Sequence, residues 1–260
     1  MKQDVPQNYT KPDAGVPYVL VGLTGSIGSG KSAVGKILEE HGIPVLQADA
    51  IAKELMNNDP ELRQAIIQQF GPMAYRDGEL NKSWIAEQIF SNPAQRAAMN
   101  NLVHPRTIAE QGRRAVALAN AGKRVVVCEA ALMYESGGVE RFDYIVVVDA
   151  KPEIRYQRAA LRDAASVQEI QRRDAAQIPA AKKVEMADFV IRNDGTEAEL
   201  RRNAMFIIML LQGLPPRREM ELPDDLDEDP DDSENDGIAP QNDPLAKQRR
   251  PQGNGLPPES

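Results

Sequence analysis

A single cysteine (Cys128), one tryptophan and two histidines stand among 260 residues. One cysteine excludes an intrachain disulfide framework and a cysteine-based zinc site. No apolar run approaches the ~20 residues that a membrane span needs. The opening Met1-Lys2-Gln3-Asp4 is followed by no apolar stretch of signal-peptide type. The expectation is a cytoplasmic protein without membrane association.

The aromatic and charge distributions divide the chain. Residues 213–260 hold 9 of the 19 prolines and no Phe, Tyr, Trp, Cys or His, with 13 acids against 5 bases. The whole net charge of −8 therefore sits there, and residues 1–212 carry 26 acids and 26 bases. A segment with so little to bury cannot offset the entropy of ordering, so a disordered acidic, Pro-rich tail with no identifiable partner is expected over 213–260. Residues 1–17, with three prolines among polar residues, read as a second flexible end. A neutral body gives no electrostatic footprint for nucleic acid.

Between these ends the pattern alternates. Short β-branched or apolar runs at 18–23, 43–47, 124–128, 144–148 and 189–191 have the length of buried strands. Helical stripes separate them, for example Val34, Ile37 and Leu38, stopped by Gly42. Pro60 and Asn92-Pro93 each open a helix in the long stretch before the third strand, the second ending near Leu102 before another starts at Pro105. Aromatics there read as core. Ser166-Val167-Gln168-Glu169 and Thr196-Glu197-Ala198-Glu199 are capping-box patterns. Strands alternating with helices imply a three-layer α/β/α domain on a five-stranded parallel sheet. The domain spans 18–212, with a helical insertion at about 55–120.

Gly25-Ser26-Ile27-Gly28-Ser29-Gly30-Lys31-Ser32 follows the first strand and opens the first helix. It matches G-x-x-x-x-G-K-[ST] at every fixed position. Glycines let the backbone wrap an anion, and the helix N-terminus adds N–H donors and a favourable dipole. In that pattern the lysine reaches the β- and γ-phosphates of a nucleoside triphosphate and the Ser32 hydroxyl ligates Mg²⁺. No N-K-x-D guanine signature is present; Asn81-Lys82-Ser83-Trp84 lacks its Asp.

Arg155, Arg158, Arg162, Arg172 and Arg173 fall within 19 residues. Arginines gathered late in a short P-loop chain suit a lid over about 155–185 that neutralises charge on a transferring phosphoryl group; a solvated basic face is the other reading. Asp49 lies just past the second strand, at the sheet edge where parallel sheets bind ligands. It suits a proton acceptor for a hydroxyl, or alternatively an N-cap for a helix from Ala50. Glu129 and Asp149 end strands and suit either a metal-side acid or solvated carboxylates. A small P-loop kinase fits this pattern; a nucleotide-dependent binding or switch protein acting through the tail is the alternative.

The same residues resemble the dephospho-coenzyme A kinase family from about Tyr18 to Leu211. The similarity rests on Leu23 through Ser32, on Val45-Leu46-Gln47-Ala48-Asp49, and on Leu102-Val103-His104-Pro105. It extends to Leu132-Met133-Tyr134-Glu135, Arg173-Asp174-Ala175-Ala176-Gln177 and Val190-Ile191-Arg192-Asn193-Asp194-Gly195. The resemblance implies transfer of the γ-phosphate of ATP, with Mg²⁺, to the ribose 3′-hydroxyl of dephospho-CoA, the last step of coenzyme A synthesis. It implies Lys31, Asp49 and Arg162 as catalytic residues. Gly25, Ser26, Ile27, Gly28, Ser29, Gly30, Lys31, Ser32, Ala33, Arg158, Arg173 and Asn193 would bind nucleotide. Asp49, His104 and Glu135 would bind the acceptor, although a His before a Pro also suits a packed helix start. Gln47 stands where the family usually has another Asp, and Glu129 and Ala131 stand where it has Asp and Pro. A kinase for a nucleoside or nucleoside monophosphate is the enzymatic rival.

Overall fold

A computed structural model describes residues 11–90 and 92–217. The acidic tail lies, from residue 218, outside the described residues. β1 (Val19–Thr24) runs through the glycine loop into α1 (Lys31–Glu40), and β2 (Val45–Gln47) into α2 (Ala48–Asn58) and α3 (Pro60–Phe70). A hairpin of β3 (Tyr75–Arg76) and β4 (Glu79–Leu80) precedes α4 (Lys82–Phe90) and the long α5 (Pro93–Asn120). Then come β5 (Val125–Glu129), β6 (Tyr144–Asp149), α6 (Pro152–Asp163), α7 (Val167–Ala175), α8 (Ala180–Glu185), β7 (Phe189–Arg192) and α9 (Glu197–Gly213).

The five expected strands form one parallel sheet in the order β2-β5-β1-β6-β7. Both faces of β1 are buried, as a central parallel strand requires. Val19, Val21 and Leu23 join Ile37 and Leu38 of α1 and Ile207 and Leu211 of α9. Leu20 joins Ala115 and Ala119 of α5. A third apolar cluster belongs to the insertion, where Leu62, Ile66 and Phe70 of α3 meet Ile85, Met99 and Val103.

The insertion departs from the sequence reading in three places. Asp77 (φ 52°) and Gly78 (φ 85°) form a hairpin turn that the Asp-Gly pair signals. The helices expected on either side of Pro105 are one 28-residue helix. Met99, Val103, Thr107, Gln111, Ala115 and Ala119 are buried at four-residue spacing along it, so packing holds the helix through a proline that forfeits one backbone bond. Phe90, expected in the core, is 85% exposed.

Elsewhere Thr196 and Glu199 make the reciprocal capping box, but Ser166 makes half of one, because the Glu169 carboxylate turns to Arg173. Of the expected loose end at 1–17, residues 1–10 lie outside the described residues, and residues 11–17 are tied down. Lys11 is buried and paired with Asp143 at 2.6 Å, Tyr18 donates its hydroxyl to the Pro12 carbonyl, and Pro12 packs on Gly112 of α5. A buried carboxylate that needs a cation holds this segment in place; composition alone did not reveal it.

Candidate active site

The glycine loop leaves the C-terminal end of β1 and is clamped from behind. At Gly28 (φ +75°) a Cβ would lie 2.0 Å from the Arg155 carbonyl oxygen, and at Gly30 (φ +99°) 2.2 Å from Asn193 Nδ2. Only glycine meets both the conformation and the close approach. Asn193 donates to the Ser29 carbonyl at 2.8 Å. Arg155 donates to the Ile27 carbonyl at 3.2 Å and bidentately to Asp174 of α7 at 2.9 and 3.1 Å. Backbone N–H groups at the start of α1 have no side-chain cap, because Gly30 occupies the capping position. That leaves them available to an anion. Ala33 follows in the first turn, its N–H bonded to the Gly30 carbonyl.

Lys31 lies back over the loop, donating to the Gly25 carbonyl at 2.8 Å. Burial pushes its ammonium down to about 8; Glu129 opposes that shift, Lys183 and Arg162 reinforce it, and Asp49 opposes it. Glu129 ends β5 beside β1, in register with Leu23 and with Gln47. Burial raises its pKa, while Lys31 and a hydrogen bond from Ser32 work against the rise. A hydroxyl and a carboxylate side by side next to a phosphate loop are the hard oxygen donors that Mg²⁺ takes together with phosphates and water. The residues therefore fit that ion.

Asp49 stands in the first turn of α2, and the capping position belongs to Gln47, whose side chain makes no cap bond. The capping role considered for Asp49 is thus not the one it has. Its exposed carboxylate faces a cavity of about 440 Å³ whose walls include Met56, Met99, His104, Arg141 and Gln177. His104 is half-buried in the middle of α5, not at a helix start. Burial lowers its pKa and the Asp49 charge partly restores it. Arg141 also lines the cavity, is buried, and donates to Gln111 of α5 at 2.8 Å.

The remaining expected residues divide by position. Arg162, near the end of α6, is paired with Asp163 at 2.7 Å, and its charge is felt at Lys31. Arg158 donates to the Asn193 carbonyl at 2.9 Å, and Asn193 in turn holds the loop at Ser29. Arg173 is held by Asp163 at 3.2 Å and by Glu169. Glu135 is not in the cavity wall. It accepts from Ile178 N–H at 2.9 Å and pairs with the fully buried Lys183 at 2.9 Å. Lys183, Arg141 and Gln111 carried no signal in the sequence, since their partners are distant or lie in the backbone.

The geometry places a phosphate cradle, a lysine, a metal-competent hydroxyl–carboxylate pair and a free carboxylate at one sheet edge. Residues 19–199 match the model of the dephospho-CoA kinase family. The chain belongs to that family. A dephospho-CoA kinase from Chlorobaculum tepidum is 43% identical over 188 residues, covering 70% of this chain and 90% of the relative. One from Chlorobium luteolum is 38% identical over 190 residues, covering 71% and 87%. A solved protein from Thermus thermophilus superposes with a TM-score of 0.65 at 30% identity, covering 75% of this chain and 98% of that one. The dephospho-CoA kinase from Campylobacter jejuni gives 0.58 at 26%, with the same coverage. The chain has the P-loop kinase fold and is an ATP-dependent kinase. Among the described residues no helix is long and apolar enough to cross a membrane.

Proposed function

We propose that this kinase transfers the γ-phosphoryl group of ATP to the ribose 3′-hydroxyl of dephospho-CoA, closing coenzyme A synthesis in the cytoplasm. The observation that carries the reading is the place of Asp49, between the Lys31 loop and the cavity beside His104. An acceptor adenosine seated there presents its 3′-hydroxyl to Asp49, with the ATP phosphates on the loop side. The Asp49 carboxylate takes the hydroxyl proton as the oxygen attacks the γ-phosphorus, and ADP leaves in line. Lys31 and the α1 N-terminus neutralise the β- and γ-oxygens. Arg162 adds positive charge where the transferring group is most anionic. Ser32 and Glu129 would hold Mg²⁺, which would supply positive charge to offset that of the phosphates.

In this reading Arg158 and Asn193 serve the nucleotide by bracing the loop, and Glu135 serves the acceptor by anchoring residue 178 next to Gln177. In the same reading the kinase domain spans about 18–212, with the helical insertion at about 55–120 and the lid at about 155–185. The test is ADP release with dephospho-CoA, AMP, CMP and nucleosides as acceptors, with the product identified. CoA formation with dephospho-CoA strongly preferred is expected; equal or faster turnover of AMP, CMP or a nucleoside overturns it.

A further inference from the structure

A second cleft opens between the insertion and the lid. It measures about 770 Å³ and is bounded by Phe90 and Arg96 on one side and by Ser166, Gln168, Arg172 and Arg173 on the other, with Glu169 its one acid. Its lining is adjacent in the chain to that of the acceptor cavity at two places. Along α5 the cavity wall begins at Met99 and Asn100, one turn past Arg96. On the lid, Gln177 lines the cavity and its neighbour Ala176 lines the cleft.

Charge and exposure favour an anion carrying a neutral extension. Arg172 is exposed and makes no ion pair among the described residues. Among the described residues Arg96 donates to the carbonyls of Ile89 and Phe90 and makes no ion pair, so its charge is uncompensated there. Phe90 exposes 85% of its surface at the rim. A large exposed aromatic beside two unneutralised guanidinium groups has the chemistry of a subsite for a phosphate ester with a flexible neutral arm.

We infer that this cleft takes the 5′-diphosphate and amide arm of dephospho-CoA, with Arg96 and Arg172 as diphosphate partners and Phe90 against the arm. The inference rests on the acceptor reading above and specifies where the far half of that acceptor lies. The lengths agree. His104 and Arg96 are eight residues apart on α5, about 12 Å at the helical rise of 1.5 Å per residue. Seven bonds separate the ribose 3′-oxygen from the second phosphorus, about 8 Å at the roughly 1.2 Å per bond of an extended chain. An arginine side chain spans the remainder.

The test is steady-state kinetics of Arg172→Ala and Arg96→Gln in the full chain, with dephospho-CoA and ATP varied separately and AMP as competitor against dephospho-CoA. AMP keeps the adenosine and the 3′-hydroxyl but has neither diphosphate nor arm. Each variant is expected to raise the KM for dephospho-CoA about tenfold, the loss of one charge-assisted hydrogen bond. The KM for ATP, kcat and inhibition by AMP should stay within twofold. Unchanged KM for dephospho-CoA in both variants overturns the subsite and leaves the acceptor assignment standing. A rise in the KM for ATP instead assigns the cleft to the donor and also overturns it. Equal weakening of AMP marks a general disturbance of the acceptor cavity and counts against it likewise. A wild-type enzyme that makes no CoA removes the parent reading, and this one with it, before any variant is compared.

Discussion

Asp174→Ala tests whether the lid and the phosphate loop are one mechanical unit. The Arg155 side chain is 2% exposed and Asp174 14%. Removing the carboxylate deletes two guanidinium bonds and the bond from the Tyr156 hydroxyl at 2.9 Å. Arg155 keeps the carbonyls of Ala150 and Ile27, at 3.1 and 3.2 Å. Breaking a buried pair from one side costs about 3–5 kcal/mol. The two carbonyls that remain favour the low end, about 3 kcal/mol. For a domain of this size that is a fall in Tm of about 6–12 °C. Because Arg155 also holds Ile27, the KM for ATP should rise in the same variant. Thermal unfolding followed by circular dichroism measures the first effect and ATP kinetics the second. Arg155→Met with Asp174→Ala should recover part of the stability, since no unpaired charge is then buried, but not the affinity for ATP. A single variant within 2 °C of wild type, or a double variant no better than the single, refutes the latch.

Other perturbations probe the loop and the chain end. Lys31 titrates near 8 in the free enzyme, and its charged form binds phosphate. The KM for ATP should therefore be low below pH 8 and rise as pH climbs through 8 to 9, a dependence that Lys31→Arg removes; a flat profile contradicts the burial argument. Gly28→Ala would place a methyl 2.0 Å from a backbone oxygen at positive φ, so ATP binding by calorimetry should weaken at least tenfold, and unaltered affinity denies the clamp. Lys11→Met leaves the Asp143 carboxylate, 2% exposed, without its cation. It keeps the N–H groups of Leu20 and Arg217, so a Tm loss of about 4–8 °C is expected from about 2 kcal/mol. No change would return residues 11–17 to the status of a loose end.

The sheet and the phosphate loop were legible in the sequence because both are written locally. Buried parallel strands are short β-branched runs, and the loop needs glycines at fixed spacing around its lysine. Asp49 was legible in position but not in role, since a carboxylate just past a strand serves a cap or a proton equally well; the helix starts two residues earlier than expected, with Gln47 at the cap, which takes the capping role away from Asp49. The continuity of α5 was hidden because Pro105 is a local stop signal that long-range packing overrides. The arginines looked alike as a group, yet Arg155 is a buried brace, Arg158 bonds Asn193 behind the loop, Arg162 pairs with Asp163, and Arg172 faces an open cleft. What separates them is Asp174, Asn193 and the loop carbonyls, whose proximity is a property of the fold. Glu135 and Lys183 meet across 48 residues of chain, and neither position predicts the other.

The most direct test of the account is single-turnover transfer from ATP to dephospho-CoA by wild type and by Asp49→Asn, with the new phosphate located on the product by phosphorus NMR. The account predicts a 3′-phosphate, a chemical step slowed by about 10²–10⁴ in the variant, and ATP binding unchanged. A variant that transfers within tenfold of the wild-type rate, or a phosphate on any other hydroxyl, contradicts it.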